Sequence, residues 1–212
     1  MNETNIKLAK VLILEDRYKA SKLINMALKI GICGSHRTGK TTLAAAIAKQ
    51  TGISFVKTST SQVFAQHGLH PSQYLDFKTR LWIQQRVIEA AVPIWQNEKD
   101  AFITDRTPLD FMAYTLADIQ GITKVDFAEL ECYLHKCFTV TNEIFTQLAI
   151  LQPAIPLIYE NGKAALNKSY IEHLNILIQG LGADERLTCP VTVIKRDIID
   201  INVRVRVILA DI

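Results

Sequence analysis

The 212-residue chain is 49 % apolar and 21 % charged, with a formal net charge of +3. Those values suit one soluble domain with a substantial core and a small appended segment, and they imply no extended nucleic-acid surface. No apolar run approaches the about 18 residues of a membrane span, and Met1–Asn5 does not open a secretory signal.

Residues 1–27 read as an N-terminal extension ahead of a main domain at 28–212. Leu23, Ile24, Ala27 and Leu28 have helical spacing, which suits a helix on the outside or at a subunit contact; a homo-oligomer is compatible with it. Leu28–Cys33 is an apolar run that predicts a buried strand. Gly34-Ser35-His36-Arg37-Thr38-Gly39-Lys40-Thr41 then fits G-x-x-x-x-G-K-[ST], the Walker A phosphate loop. Glycines let the backbone turn tightly and aim successive N–H groups at phosphate oxygens. Lys40 reaches the β- and γ-phosphates as a point charge, and the Thr41 hydroxyl is placed to ligate Mg²⁺. Thr42–Lys49 is strong helix-forming sequence ending near Gly52, and its positive end faces the same anion. The nucleotide-binding residues are therefore Gly34, Ser35, His36, Arg37, Thr38, Gly39, Lys40, Thr41 and Thr42.

Ile53–Val56 predicts a second buried strand, followed by the hydroxyl-rich stretch Lys57–Ser61. Residues 62–77 suggest a short helix and a turn, and Phe77–Gln96 a longer helix whose last turn is disturbed by Pro93. Ala101–Asp105 is an apolar strand ending in a carboxylate, the place where phosphate-loop proteins hold Mg²⁺ directly or through water. Leu109–Ile119 reads as a helix, Val125–Leu148 as a further helix or helix pair, and Phe145–Leu151 as a fourth strand. A lid-like region follows at about 152–169, then a helix at Tyr170–Leu181 and a fifth strand at Val191–Ile194. Asp197–Ile212 reads as a helix in preference to a strand. Cys33, Cys132, Cys137 and Cys189 lack zinc-site spacing; buried or partly exposed thiols in a reducing, cytoplasmic compartment are expected.

Alternating strands and helices predict an α/β fold with a parallel sheet covered on both faces, and ligands bind at the carboxyl ends of such strands. The Walker A loop, the helix around Trp82-Ile83-Gln84-Gln85-Arg86 with Ile94 after Pro93, and the strand end Asp105-Arg106 followed by Ala113-Tyr114 together resemble the P-loop nucleoside and nucleotide kinases, especially the thymidylate-kinase-like group. The resemblance covers roughly residues 28–120. It implies a three-layer α/β/α sandwich with sheet order 2-3-1-4-5, Mg-ATP as donor, and an acceptor pocket between the 58–90 region and the Asp105-Arg106 corner. Catalysis would fall to Lys40, Asp105 and Arg106, and the metal to Thr41 and Asp105. The family's late arginine-bearing lid is matched here only by Lys163 and Lys168, with Arg186 or Arg196 as substitutes from further on. Nucleoside kinases place a carboxylate after the second strand, where this chain has Lys57-Thr58. A phosphate acceptor needs cations more than a base. On that ground the acceptor is read as a nucleoside monophosphate, bound by Lys57, Arg86 and Arg106, with Asp110 on the acceptor side and Arg80 as a further cation.

Two other functions compete with this one. A regulatory ATPase or switch acting through a protein partner would suit the missing lid arginine. A ribosyl-pyridine-type nucleoside kinase would suit Asp110 reaching a hydroxyl. The Asn-Lys-x-Asp base-reading motif of GTPases is not visible, since Asn167-Lys168-Ser169-Tyr170 lacks the aspartate.

Overall fold

The computed structural model describes residues 28–154, 156 and 167–210. The N-terminal extension at 1–27 and most of the lid-like stretch, Lys163 included, lie outside the described residues. The described chain runs β1 (Lys29–Cys33), α1 (Lys40–Thr51), β2 (Ser54–Val56), α2 (Thr60–Gln66), α3 (Phe77–Asn97), β3 (Phe102–Thr104), α4 (Pro108–Leu116), α5 (Phe127–Ile144), β4 (Gln147–Leu151), α6 (Lys168–Gly182), β5 (Val191–Ile194) and α7 (Ile201–Ala210).

The five strands form one parallel sheet in the order β2-β3-β1-β4-β5, the order that the family resemblance implies. β1 is central because its side chains are wanted on both faces. Ile30 and Ile32 point to one side, where they meet Leu43 and Ile47 of α1 and Val205 and Ile208 of α7. The other side carries Cys33, Leu148 and Ile150 against α2 to α6, with Leu81, Trp95, Phe111, Phe138 and Leu174 in the same core. Strand alternation with period two thus feeds two separate cores from one sheet. Trp95 lies parallel to Phe111 at 6.3 Å and edge-on to Phe145 at 5.3 Å, tying α3 to α4 and to the approach of β4.

Helix starts follow the capping chemistry of their sequences. Asp76 accepts from the Thr79 amide at 3.0 Å to open α3, and Asp126 accepts from the Glu129 amide at 3.1 Å to open α5. Asn167, weighed above as part of a base-reading motif, instead caps α6 by accepting from the Tyr170 amide at 3.0 Å. Pro93 lies inside α3, which continues to Asn97. α5 is a single helix. α7 is helical because Ile201, Val205 and Ile208 share one stripe against the α1 side of the sheet. Among the described residues no helix is long and apolar enough to cross a membrane.

Candidate active site

The carboxyl ends of β1 and β3 meet at one rim, and the loop from Gly34 to Gly39 connects β1 to α1 across it. Two glycines are dictated by geometry. A Cβ on Gly34 would fall 2.7 Å from the Leu151 carbonyl oxygen, and Gly39 sits at φ 89° immediately before the first residue of α1. Arg37 takes φ 65° without being glycine, a conformation that costs about 1 kcal/mol or more and persists where its surroundings enforce it. Inside the loop, the Thr38 hydroxyl donates to the Ser35 carbonyl at 2.9 Å. From α7, which packs beside α1 on the same face of the sheet, the buried Arg204 donates to the Thr38 carbonyl at 3.2 Å and to the Ile198 carbonyl at 2.7 Å. Arg204 is a supporting residue that sequence reading misses, because nothing local to α7 points at a loop so distant in the chain.

Lys40 is buried beneath the loop. Its ammonium donates to the carbonyls of Gly34 and Ser35 and lies 3.6 Å from a carboxylate oxygen of Asp110. Burial pulls its pKa from 10.5 down to about 8; Asp110 opposes that shift and Arg106 adds to it. Asp110 itself is fully buried and turned back on the start of its own helix. It accepts from the Thr107 amide at 2.9 Å, from the Thr107 hydroxyl at 3.0 Å and from the Gly34 amide at 3.3 Å. It therefore bolts α4 to the phosphate loop, and it is not among the residues that line the neighbouring cavity, where the acceptor-side expectation placed it.

At the mouth of the loop the Thr41 hydroxyl donates to the Asp105 carboxylate. A hydroxyl and a carboxylate converging next to a phosphate loop make a hard-oxygen donor pair of the kind Mg²⁺ takes, its remaining positions going to waters and phosphate oxygens. Thr41 and Asp105 fit that ion.

Beyond Asp105 opens a cavity of about 570 Å³, in the size range of small-molecule sites. Its walls include Thr58–Ser61 and Phe64, then Arg80 and Gln84 from α3, and Arg106, Phe111, Tyr114 and Asp118 from the β3–α4 side; His36 of the phosphate loop and Tyr170 of α6 also line it. Arg106 lies 5.9 Å over the Tyr114 ring. Burial works against its charge, but Asp110, Tyr114 and Asp105 outweigh that and hold its pKa above the ordinary value. Arg80 is fully engaged: its Nε donates to Asp118, its other nitrogens reach the Pro71 and Gln73 carbonyls, and its guanidinium lies 5.7 Å over Phe64. The Gln84 side chain is buried, and its carbonyl oxygen has no hydrogen-bond partner.

Two expected clamps lie elsewhere, each for a reason of periodicity. Lys57 is exposed and lies 5.2 Å over the Phe55 ring. It shares with Phe55 the face of β2 that looks towards α1, and its neighbour Thr58 lines the cavity instead. Arg86 pairs with Glu89 at 2.9 Å. At about 100° per residue it points away from the face shared by Arg80 and Gln84, which are four apart. Arg186 pairs with Asp184 at 2.7 Å and lies 4.6 Å over Phe138, and Arg196 pairs with Glu172; neither lines the cavity. The i, i+4 pair Arg80–Gln84, on the helix quoted for the resemblance, was the available signal for the true wall.

The family model described as AAA domain matches residues 29–146. No curated protein sequence matches the chain. Among solved structures, a deoxyadenosine kinase from M. mycoides with bound dCTP is 22 % identical, with 87 % of this chain and 98 % of that one covered and a TM-score of 0.64. A thymidylate kinase from Candida albicans is 15 % identical over 88 % and 92 % of the two chains, with a TM-score of 0.55. The NadR protein in complex with NR is 15 % identical with a TM-score of 0.61, and the match takes in 99 % of this chain but 59 % of that one. With a glycine-bounded loop over a buried lysine, a sheet in the order 2-3-1-4-5 and a family match across β1 to the entry of β4, the chain belongs to the AAA-domain family and has the fold of the P-loop kinases.

Proposed function

We propose that the protein transfers the γ-phosphoryl group of Mg-ATP to a hydroxyl of a small, nucleoside-like acceptor held in the cavity, with ADP as the leaving group and the hydroxyl proton passing to solvent. The observation that carries this reading is the meeting of donor loop and cavity at Asp105 and Arg106, so that a reacting phosphoryl group has a place between them. Nucleoside or nucleotide kinases among the similar structures support the acceptor class. Lys40 and the loop amides hold the donor phosphates, Thr41 and Asp105 hold Mg²⁺, and Arg106 faces the charge that develops on the transferred group. When bound, Mg²⁺ supplies neutralisation of the phosphate charge. Such transfers ask mainly for positioning and charge neutralisation, with little covalent work from the protein.

The choice of a hydroxyl over a phosphate acceptor follows from charge. A monophosphate brings nearly two negative charges. Lys57 and Arg86 are absent from the cavity, and Arg80 is already tied to Asp118. With Arg80 and Asp118 cancelling each other, Arg106 is balanced by Asp105 along the same wall, which leaves no surplus positive charge there. A neutral nucleoside suits that balance better than a nucleotide.

The test is release of ADP from Mg-ATP across a panel of nucleosides and their monophosphates. Release that depends on a nucleoside and is weaker with its monophosphate is the expected result. One observation favours a regulatory ATPase: both late arginines, Arg186 and Arg196, are paired away from the cavity. Slow release, unchanged across the panel, would decide for that reading.

Donor binding also carries a pH signature. With burial holding the Lys40 pKa at about 8, a polyphosphate favours its charged form and raises that pKa. Binding therefore takes up a proton above pH 8, and the sign is fixed: ATP affinity falls as pH rises through about 8, by up to about tenfold per unit. Calorimetry in buffers of different ionisation enthalpy reads the proton directly. An affinity flat from pH 7 to 9.5 would contradict the buried-lysine account.

A further inference from the structure

His36 occupies a variable position of the phosphate-loop pattern, where the backbone does the binding and the side chain is unconstrained by the motif. Here the side chain turns into the acceptor cavity and lines it. Its Nδ1 lies 3.3 Å from the Tyr114 hydroxyl. The imidazole is also 5.8 Å from the Tyr170 ring, and Tyr170 stacks at 6.4 Å and 11° on His173 of the same helix. Tyr114 in turn lies under the Arg106 guanidinium, which sits 5.9 Å from its ring centre. A chain of contacts therefore runs from the donor loop through His36 and Tyr114 to Arg106. Its ring members come from three separate elements, the loop, α4 and α6.

We infer that His36 is a positioning residue for phosphoryl transfer, which through its hydrogen bond to Tyr114 aligns Arg106 and the acceptor wall with the loop that holds the donor. The inference rests on the kinase reading above and adds to it. The loop's main chain addresses the donor, while one of its side chains addresses the acceptor side. Tyr114 is the relay because it touches both His36 and Arg106. The Tyr170 ring packs against the imidazole as well, at 5.8 Å and a 41° tilt. Misplacement of about 1 Å in a reacting pair is enough to cost up to a hundredfold in rate, so a small tilt of Arg106 is measurable in turnover.

The experiment is steady-state kinetics on His36→Ala, His36→Asn, Tyr114→Phe and the double variant His36→Ala/Tyr114→Phe, with the acceptor that the panel identifies. His36→Ala is expected to lower kcat about ten- to thirtyfold while KM for ATP changes less than about threefold, because the main-chain amides that hold the donor are untouched. Asparagine places an amide near the site of Nδ1 and is expected to recover most of the loss. Tyr114→Phe keeps the ring under Arg106 and removes only the hydroxyl, so it is expected to lose about as much as His36→Ala. The double variant is expected to be no worse than either single one, the signature of residues acting as one unit. Parent-like kcat in His36→Ala, no rescue by asparagine, or losses that multiply in the double variant would each overturn the inference while leaving the kinase reading intact. A parent protein that turns over no acceptor would overturn both.

Discussion

Replacing Lys40 by alanine is expected to reduce acceptor-dependent turnover at least about a thousandfold, a loss of about 4 kcal/mol in transition-state stabilisation. The magnitude follows from where the ammonium lies. It is buried under the loop, held by two carbonyls and flanked by Asp110, and no bulk water screens it from a phosphate seated above. The lost charge therefore acts at low effective dielectric against a polyanion whose charge shifts during transfer. Arg106, on the same rim, reaches the site from the acceptor side and does not replace it. The measurement is kcat/KM for ATP at saturating acceptor, with an unfolding curve recorded alongside to separate chemistry from folding. Turnover within tenfold of the parent would remove Lys40 from the mechanism. It would also leave the depressed lysine pKa without a functional meaning.

Asp110→Ala is expected to lower stability by about 3–5 kcal/mol, the cost of breaking a buried ion pair and stranding its partner. For a chain of this size that corresponds to a fall in Tm of roughly 6–20 °C. Two amides and a hydroxyl lose their acceptor together, among them the Gly34 amide at the entry to the phosphate loop. Asp110→Asn keeps an oxygen acceptor but gives up the charge opposite Lys40, and an intermediate loss is expected from it. Thermal and urea unfolding with matched m-values reads the difference. An unchanged Tm accompanied by loss of acceptor turnover alone would restore the acceptor-side role that the geometry argues against.

Much of the architecture can be read from residues because the sheet is built of short apolar runs punctuated by the residues that end them. Leu28–Cys33 before a glycine loop, Ala101–Asp105 before a Pro-started helix, and Val191–Ile194 between polar stretches each declare a strand and its limit. The donor half of the site is equally local, since a phosphate loop is one continuous segment. The cavity beside it is not. Its walls come from α3, α4, α6 and the loop after β2, and which side chain of a helix or strand faces inward depends on a parity that packing decides. Lys57 and Thr58 differ by one position and face opposite sides of the sheet. Arg86 and Arg80 carry the same charge, yet only Arg80 shares a face with Gln84. Asp110 is the harder case. A carboxylate next to a site motif reads as chemistry, and only coordinates reveal that it bonds back to Thr107 and to a glycine from a different part of the chain.

Arg204 has a bearing on how the molecule is made. It stands 166 positions after the Thr38 carbonyl that it holds. A ribosome adding about 5–20 residues per second exposes the phosphate loop on the order of ten seconds or more before α7 has been translated. The nascent polypeptide thus displays a loop whose Thr38 carbonyl only solvent can satisfy. Ribosome-tethered intermediates in which α7 has not emerged are accordingly expected to retain ATP less well than those in which a C-terminal linker has carried α7 clear of the ribosome.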